Sequence, residues 1–289
     1  MEVRGSIPLR STRTSKGCGQ PQPFYCRLHS RTVGARLRLC PANAKPWLWD
    51  DCRMFNPRPQ IVSVPIDGHH RCHIVEDALL QPERLVEFAQ AHRSEFARAS
   101  HNGYPGIQLR MPNGFSAQLD DFFRLHIRAR LGARRTLRMH SRLAMVTTPP
   151  HALQPRQSIC RPDRVDFAAN RCVGASVLYL FRDERLGGTS FFAIRRPQAE
   201  IDRLMIDSGV LNAPAFAQKY GFDPGYMASG NAYFEELLTV AARWNRMIFY
   251  DGSLFHGGHI IHPERLSEDP AHGRLTLDGF FICSRNAAA

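Results

Sequence analysis

With 289 residues, 43% of them hydrophobic and 22% charged, the chain can bury a full core, and its length suits one large domain or two small ones. No run of about 18 apolar residues is present and no signal-type apolar segment follows Met1, which excludes a helical membrane span and leads us to expect a cytoplasmic protein. The formal charge of +12 would ordinarily invite nucleic acid as a partner. However, residues 1–53 hold ten Lys or Arg against three Asp or Glu, so most of the excess is local, and neither a specific nucleic-acid partner nor a membrane is expected.

Residues 1–53 also carry Cys18, Cys26, Cys40 and Cys52 but show no helical or strand periodicity. Their spacing contains no Cys-x-x-Cys knuckle, which argues against zinc. A basic disordered arm fits. So does a non-native extension, because Gly5-Ser6-Ile7-Pro8 back-translates into the T-arm sequence of a transfer-RNA gene, with translation then beginning at Met54. The sequence is therefore partitioned into an extension, 1–53, and a single domain, 54–289.

From Met54 onward, Ile61 to Pro65 and His73-Ile74-Val75 are short apolar runs that predict strands. Asp77 is a candidate helix cap, and Pro82 opens a helix to about Ala97 with Leu85, Phe88, Ala89 and Phe96 on one face. A second amphipathic helix after Ser116 carries Leu119, Phe122, Phe123 and Ile127 to about Leu131. Strands are then predicted at Leu137 to Thr148, Ala175 to Phe181, Thr189 to Ile194, Arg246 to Tyr250, Gly258 to His262 and Arg274 to Cys283, with Gly187-Gly188, Asp251-Gly252 and Gly257-Gly258 at the joints. An insertion at 197–243 shows three helical patterns, around Ala199–Ile206, Ala213–Lys219 and Asn231–Ala242. Helices followed by about eight strands predict an α+β fold built on a β-sandwich or barrel, with its sheet core at about 137–283.

Several motifs follow one another in order: Ser176-Val-Leu-Tyr-Leu-Phe, Gly187-Gly188-Thr189-Ser190-Phe191, Asn245-Arg246-Met-Ile-Phe-Tyr-Asp251, His256, and Gly273-Arg274-Leu-Thr276. Together they resemble the prolyl-4-hydroxylase-like branch of the iron(II)/2-oxoglutarate-dependent dioxygenases. The resemblance implies a double-stranded β-helix, of the jelly-roll or cupin kind, with flanking N-terminal helices. It also implies Fe(II) and 2-oxoglutarate as cofactors, and hydroxylation of a small molecule, amino acid or peptide.

Such a site holds iron by two histidines and a carboxylate, leaving three positions open. The first histidine and the carboxylate come as His-x-Asp on one strand, where the period of two puts both on one face. The corresponding segment here is Gln157-Ser158-Ile159-Cys160-Arg161-Pro162-Asp163. The resemblance thus assigns Asp163 and His256 to metal, Arg274 and Thr276 to the far carboxylate of 2-oxoglutarate, and a further co-substrate hydrogen bond to Tyr179. An arginine suits the co-substrate role because guanidinium grips a carboxylate through two parallel hydrogen bonds.

Arg161 breaks the pattern. Guanidinium has no lone pair at accessible pH and cannot ligate iron. His140, His151 or Cys160 are the residues that could fill the gap. Otherwise Arg161 supplies beside Asp163 the positive charge that iron would have brought, making a catalytically degenerate, metal-free binding protein of the same fold. No Walker loop, dinucleotide Gly-x-Gly-x-x-Gly, Gly-x-Ser-x-Gly elbow or His-Glu-x-x-His motif supports another enzyme class. Cys72, Cys172 and Cys283 are spread singly, as expected of thiols in a reducing compartment.

Overall fold

The structure is a computed structural model and describes residues 53–98, 103–163, 170–222 and 225–285. The extension proposed for residues 1–53, with its four cysteines, lies outside the described residues except for Arg53.

The described residues form an α+β fold with two antiparallel sheets. The hairpin of β1 (Ile61–Pro65) and β2 (Arg71–Val75) joins β8 (Met247–Asp251), followed by β5 (Arg171–Tyr179), β10 (Arg274–Ser284), β4 (Arg135–Val146) and the edge strand β3 (Gly106–Arg110). In the smaller sheet, β6 (Thr189–Ile194) lies between β7 (Phe234–Val240) and β9 (Phe255–Gly258).

Alternation along β10 sorts its side chains between two environments. Leu275, Leu277, Phe281 and Cys283 join the hydrophobic cluster built with α1 (Glu83–Ala91) and α2 (Asn113–His126), where Phe123 stacks on Phe281 with ring centroids 3.9 Å apart. Ala175, Tyr179, Ile248 and Tyr250 of the large sheet instead meet Phe191 and Val240 of the small one. The Phe191 and Tyr250 rings, 4.9 Å apart and edge to face, hold the two sheets together. Each such fully buried aromatic or aliphatic side chain contributes about 1.5–3 kcal/mol of transfer free energy.

Several sequence expectations are corrected. Asp77 does not cap a helix: it has φ +47° in a turn, and α1 begins after Pro82. That helix stops at Ala91, short of Ala97, and a 3-10 turn follows at Arg93–Glu95. A short helix, α3 (Pro155–Ser158), precedes the segment that ends in Asp163; within the insertion, α4 (Gln198–Ser208) and α5 (Ala213–Tyr220) match the first two helical patterns, but the third, Asn231–Ala242, is the strand β7. A bulge explains the error. Phe191 pairs with Leu238 and Phe192 with Glu236, so Leu237 is an extra residue that turns a two-residue alternation into an apparent helical spacing. The strand expected at Gly258 to His262 lies earlier, as β9. β3 was not expected; it packs so closely that a Cβ on Gly106 would collide with the Met145 carbonyl.

Candidate functional site

A cavity of about 110 Å³ opens between the sheets, a size suited to a small occupant. Asp163, His256, Arg274 and Thr276 all line it, together with Arg161, Arg142, Asp278 and Tyr104. Three elements bring the first four together. The segment ending in Asp163 runs alongside the turn before β9, with the Asp163 N–H donating to the Gly252 carbonyl at 2.7 Å. Arg161 then forms an isolated antiparallel bridge with His256 of β9. Arg274 and Thr276 enter from β10 on its pocket-facing parity.

His256 donates from Nδ1 to the Leu254 carbonyl at 2.9 Å, which turns Nε2 toward Asp163, 3.4 Å from its Oδ2. Burial alone would raise the Asp163 carboxyl, but the charge and hydrogen bond of His256, then Arg161 and Arg142, outweigh it and hold the group below its ordinary value. Burial lowers the Arg161 pKa, as do Arg142 and Arg156, while Asp163 opposes them. Even lowered, a guanidinium remains protonated at accessible pH.

Arg274 is 4% exposed, and its hydrogen bonds go to main-chain carbonyls: Nε to Gly187 at 3.1 Å and Nη2 to Gly188 at 2.7 Å. Among the described residues it has no carboxylate within ion-pair distance. The Thr276 hydroxyl is already committed, donating to Asp278 Oδ1 at 2.9 Å, and Arg142 Nε approaches the other Asp278 oxygen at 3.4 Å. Tyr179 does not line the cavity. It is fully buried between the sheets with its hydroxyl hydrogen-bonded to Thr189 Oγ1 at 2.9 Å, and burial pushes that hydroxyl well above its usual range.

Of the residues considered as replacements at the position of Arg161, His151 is exposed on a 3-10 turn and His140 stacks on Phe280 outside the cavity. Cys160 lines the cavity, but its side chain belongs to the apolar cluster with Phe192 and Phe234, and burial raises its thiol far above the usual value. Cys72, Cys172 and Cys283 are free thiols, as is Cys160.

Sequence reasoning missed Asp278, Arg142, Tyr104 and Tyr226, all of which line the cavity. Asp278 was legible, since it continues the period of two from Arg274 and Thr276. Arg142 needed the register that sets it opposite Asp278, and the two tyrosines come from loops, which carry no periodicity.

A family described as a family of unknown function, DUF6445, matches residues 57–281. No curated protein matches the chain. Among solved structures, the chain is similar to a Pseudomonas putida prolyl-4-hydroxylase at 16% identity and a TM-score of 0.36, over 79% of this chain and 92% of that one. It is similar to apo HygX from Streptomyces hygroscopicus at 11% identity and a TM-score of 0.37, over 74% and 82%. A third similarity is to the non-heme alpha ketoglutarate dependent epimerase SnoN from nogalamycin biosynthesis, at 14% and 0.35, over 80% and 83%. All three likenesses are distant in both sequence and superposition.

Proposed function

Because the chain belongs to the DUF6445 family, whose function is unknown, its activity has to be read from its own site, and we propose a dioxygenase-like protein of double-stranded β-helix fold whose pocket binds a small carboxylic acid of the 2-oxoglutarate class. The observation that carries this reading is Arg274. A buried cation without a carboxylate partner is costly, and an anionic ligand that reaches its remaining N–H groups offsets that cost. Tyr104, Tyr226 and Thr189 line the same cavity, with the Tyr226 hydroxyl donating to the Thr148 carbonyl and the Thr189 hydroxyl bonded to Tyr179.

Iron fits this pocket poorly. Asp163 Oδ2 and His256 Nε2, 3.4 Å apart, are spaced as two neighbouring donors of one ion would be. The third donor is lacking: Arg161 stands at the position of the first histidine, and among the described residues no three His, Cys, Asp or Glu side chains gather into a metal-binding group. A cation already placed beside Asp163 also opposes the arrival of a second. The residues present therefore do not fit a three-ligand iron centre, and acid binding is read as metal-independent, with Arg161 supplying positive charge near Asp163 and His256 Nε2 lying 3.4 Å from its Oδ2.

A second reading, an oxygenase holding iron through Asp163 and His256 alone, draws on their 3.4 Å approach. Calorimetric titration of chelator-treated full-length protein with 2-oxoglutarate, repeated anaerobically with Fe(II) and followed by a succinate assay in air, separates the two. Binding without metal that is lost in Arg274→Ala is the expected result. Binding only in the presence of Fe(II), with succinate released, would establish the second reading; no binding under either condition would sink both.

A further inference from the structure

The pocket-facing side of β10 continues through Phe280, which still lines the cavity, to Ile282. Antiparallel pairing sets Arg142 opposite Asp278, His140 opposite Phe280 and Arg138 opposite Ile282, while β3 brings Arg110 directly opposite Arg142. The period of two therefore puts Arg110, Arg138, His140 and Arg142 on one face of the sheet.

Like charges directly opposite on neighbouring strands destabilise a sheet, and Arg110 and Arg142 are such a pair. Among the described residues a single carboxylate pairs with the group, Asp278 at 3.4 Å from Arg142 Nε. Arg110 and Arg138 are exposed and make no ion pair among the described residues. The side chains stand upright side by side: the His140 and Phe280 rings stack with centroids 4.9 Å apart and planes at 15°, and the Arg142 guanidinium lies over Phe280 at 4.7 Å. Burial, then Arg142, Arg110 and Arg138, hold His140 below its ordinary pKa, so its ring adds no further charge near neutrality. Arg142 is answered inside the protein, by Asp278 and by Gln108 Oε1, which accepts from Nη1 at 3.1 Å, but the charges of Arg110 and Arg138 beside it are not, and that local excess points to a ligand that supplies the counter-charge.

We propose that this face, formed by Arg110, Arg138 and Arg142 around the His140–Phe280 stack, is a phosphate-binding site that holds the phosphate or diphosphate group of a phosphorylated ligand at the mouth of the pocket. Three guanidinia match a multiply charged group with several acceptor oxygens better than they match a single carboxylate. Arg138 and Arg142 are four residues apart, about 13 Å along the strand, a span that two extended arginine side chains can close on one diphosphate. Phe280 lies six residues from Arg274, about 20 Å along β10. An acid held by Arg274 therefore leaves the charges of Arg110 and Arg138 unanswered; Arg142 is shared with the cavity lining, whereas Arg110 and Arg138 are not part of it.

Pyrophosphate titration of the full-length protein tests the site, with Arg110→Gln, Arg138→Gln and the double variant alongside and 2-oxoglutarate titrated into each. Wild-type binding that weakens as salt rises, falls about tenfold in each single variant and disappears in the double is the expected result, with 2-oxoglutarate affinity unchanged. Each tenfold step corresponds to about 1.4 kcal/mol. No pyrophosphate binding, or binding unmoved by the double variant, would overturn the proposal. Loss of 2-oxoglutarate binding from the wild type alone would overturn the pocket reading and leave this site standing. Inorganic phosphate and phenyl phosphate run in parallel distinguish free phosphate from a phosphate monoester as the natural source.

Discussion

Arg161 and His256 face each other across an isolated antiparallel bridge, the Arg161 N–H donating to the His256 carbonyl at 3.0 Å and the His256 N–H to the Arg161 carbonyl at 3.2 Å. Residues that exchange both hydrogen bonds in this way lie about 5.5 Å apart at Cα and project their side chains to the same side. The backbone thus delivers whatever stands at position 161 to the neighbourhood of His256 and, two residues on, Asp163.

Arg161→His follows from that pairing. The substitution removes a fixed cation and adds an imidazole to Asp163 and His256, completing a two-histidine, one-carboxylate set. Anaerobic Fe(II) titration is expected to show the variant binding iron at least about tenfold more tightly than wild type, a difference of about 1.4 kcal/mol. Equal affinities would mean that position 161 does not deliver its side chain to these donors.

The seat of Arg274 depends on a close approach of main chain. Gly188 supplies one of its two carbonyl partners, and a Cβ there would collide with the Val240 carbonyl across the small sheet. Neighbouring Gly187 has φ +86°, a left-handed conformation that L side chains rarely adopt. Gly188→Ala is expected to destabilise the protein by about 2 kcal/mol in urea unfolding and to weaken 2-oxoglutarate binding at a temperature where the variant stays folded. Unchanged affinity would show that Arg274 is seated by other contacts.

The legible parts of this protein are those where local pattern and tertiary position agree. β6 and the first two insertion helices are legible because the Phe191-Phe192 pair between Thr189 and Ile194, bounded by Gly187-Gly188, and 3.6-residue spacing meet no competing constraint there. β7 was misread because its bulge mimics helical spacing, and β3 was missed because it owes its place to a glycine contact with another strand. The resemblance motifs nominated Asp163, His256, Arg274 and Thr276, which lie around one cavity. Nothing in the motifs could reveal that the Thr276 hydroxyl is spent on Asp278, or that Arg110 faces Arg142, since both depend on register between distant strands.

The layer of helices against the large sheet has a sharp energetic signature. Phe281 is fully buried, stacked on Phe123 of α2, and packed near Phe249 with centroids 6.4 Å apart. Phe281→Ala leaves a cavity that a β-strand and a helix cannot jointly collapse, at a cost of about 3–5 kcal/mol. Chemical denaturation reads this directly, and a loss under about 1 kcal/mol would mean that α2 repacks freely over the sheet.

The insertion has its own pH dependence, centred on Asp207. This α4 carboxylate accepts from Lys219 Nζ at 2.5 Å and the Tyr220 hydroxyl at 2.7 Å, both on α5, and pairs with Arg203 Nε at 3.2 Å. The hydrogen bonds from Lys219 and Tyr220 hold the Asp207 carboxyl below its ordinary value against a smaller opposing effect of burial, and the same contact raises Lys219. A carboxyl whose folded pKa is depressed stabilises the fold above its unfolded value, about 3.9, and loses that contribution as pH falls through the folded value. For a lysine whose folded pKa is raised, the contribution is complete below its unfolded value, about 10.4, and is lost as pH rises through the folded one. The α4–α5 contact is therefore expected to be strongest between these limits and to loosen at both ends. Amide-exchange protection factors for the two helices, followed across pH in wild type and Asp207→Asn, should show a plateau that falls below about pH 4 in the wild type, and uniformly lower protection without that acid step in the variant. Matching profiles in the two proteins would mean that α4 and α5 are held together by their apolar faces, Leu204 and Phe216 among them, and not by this carboxylate.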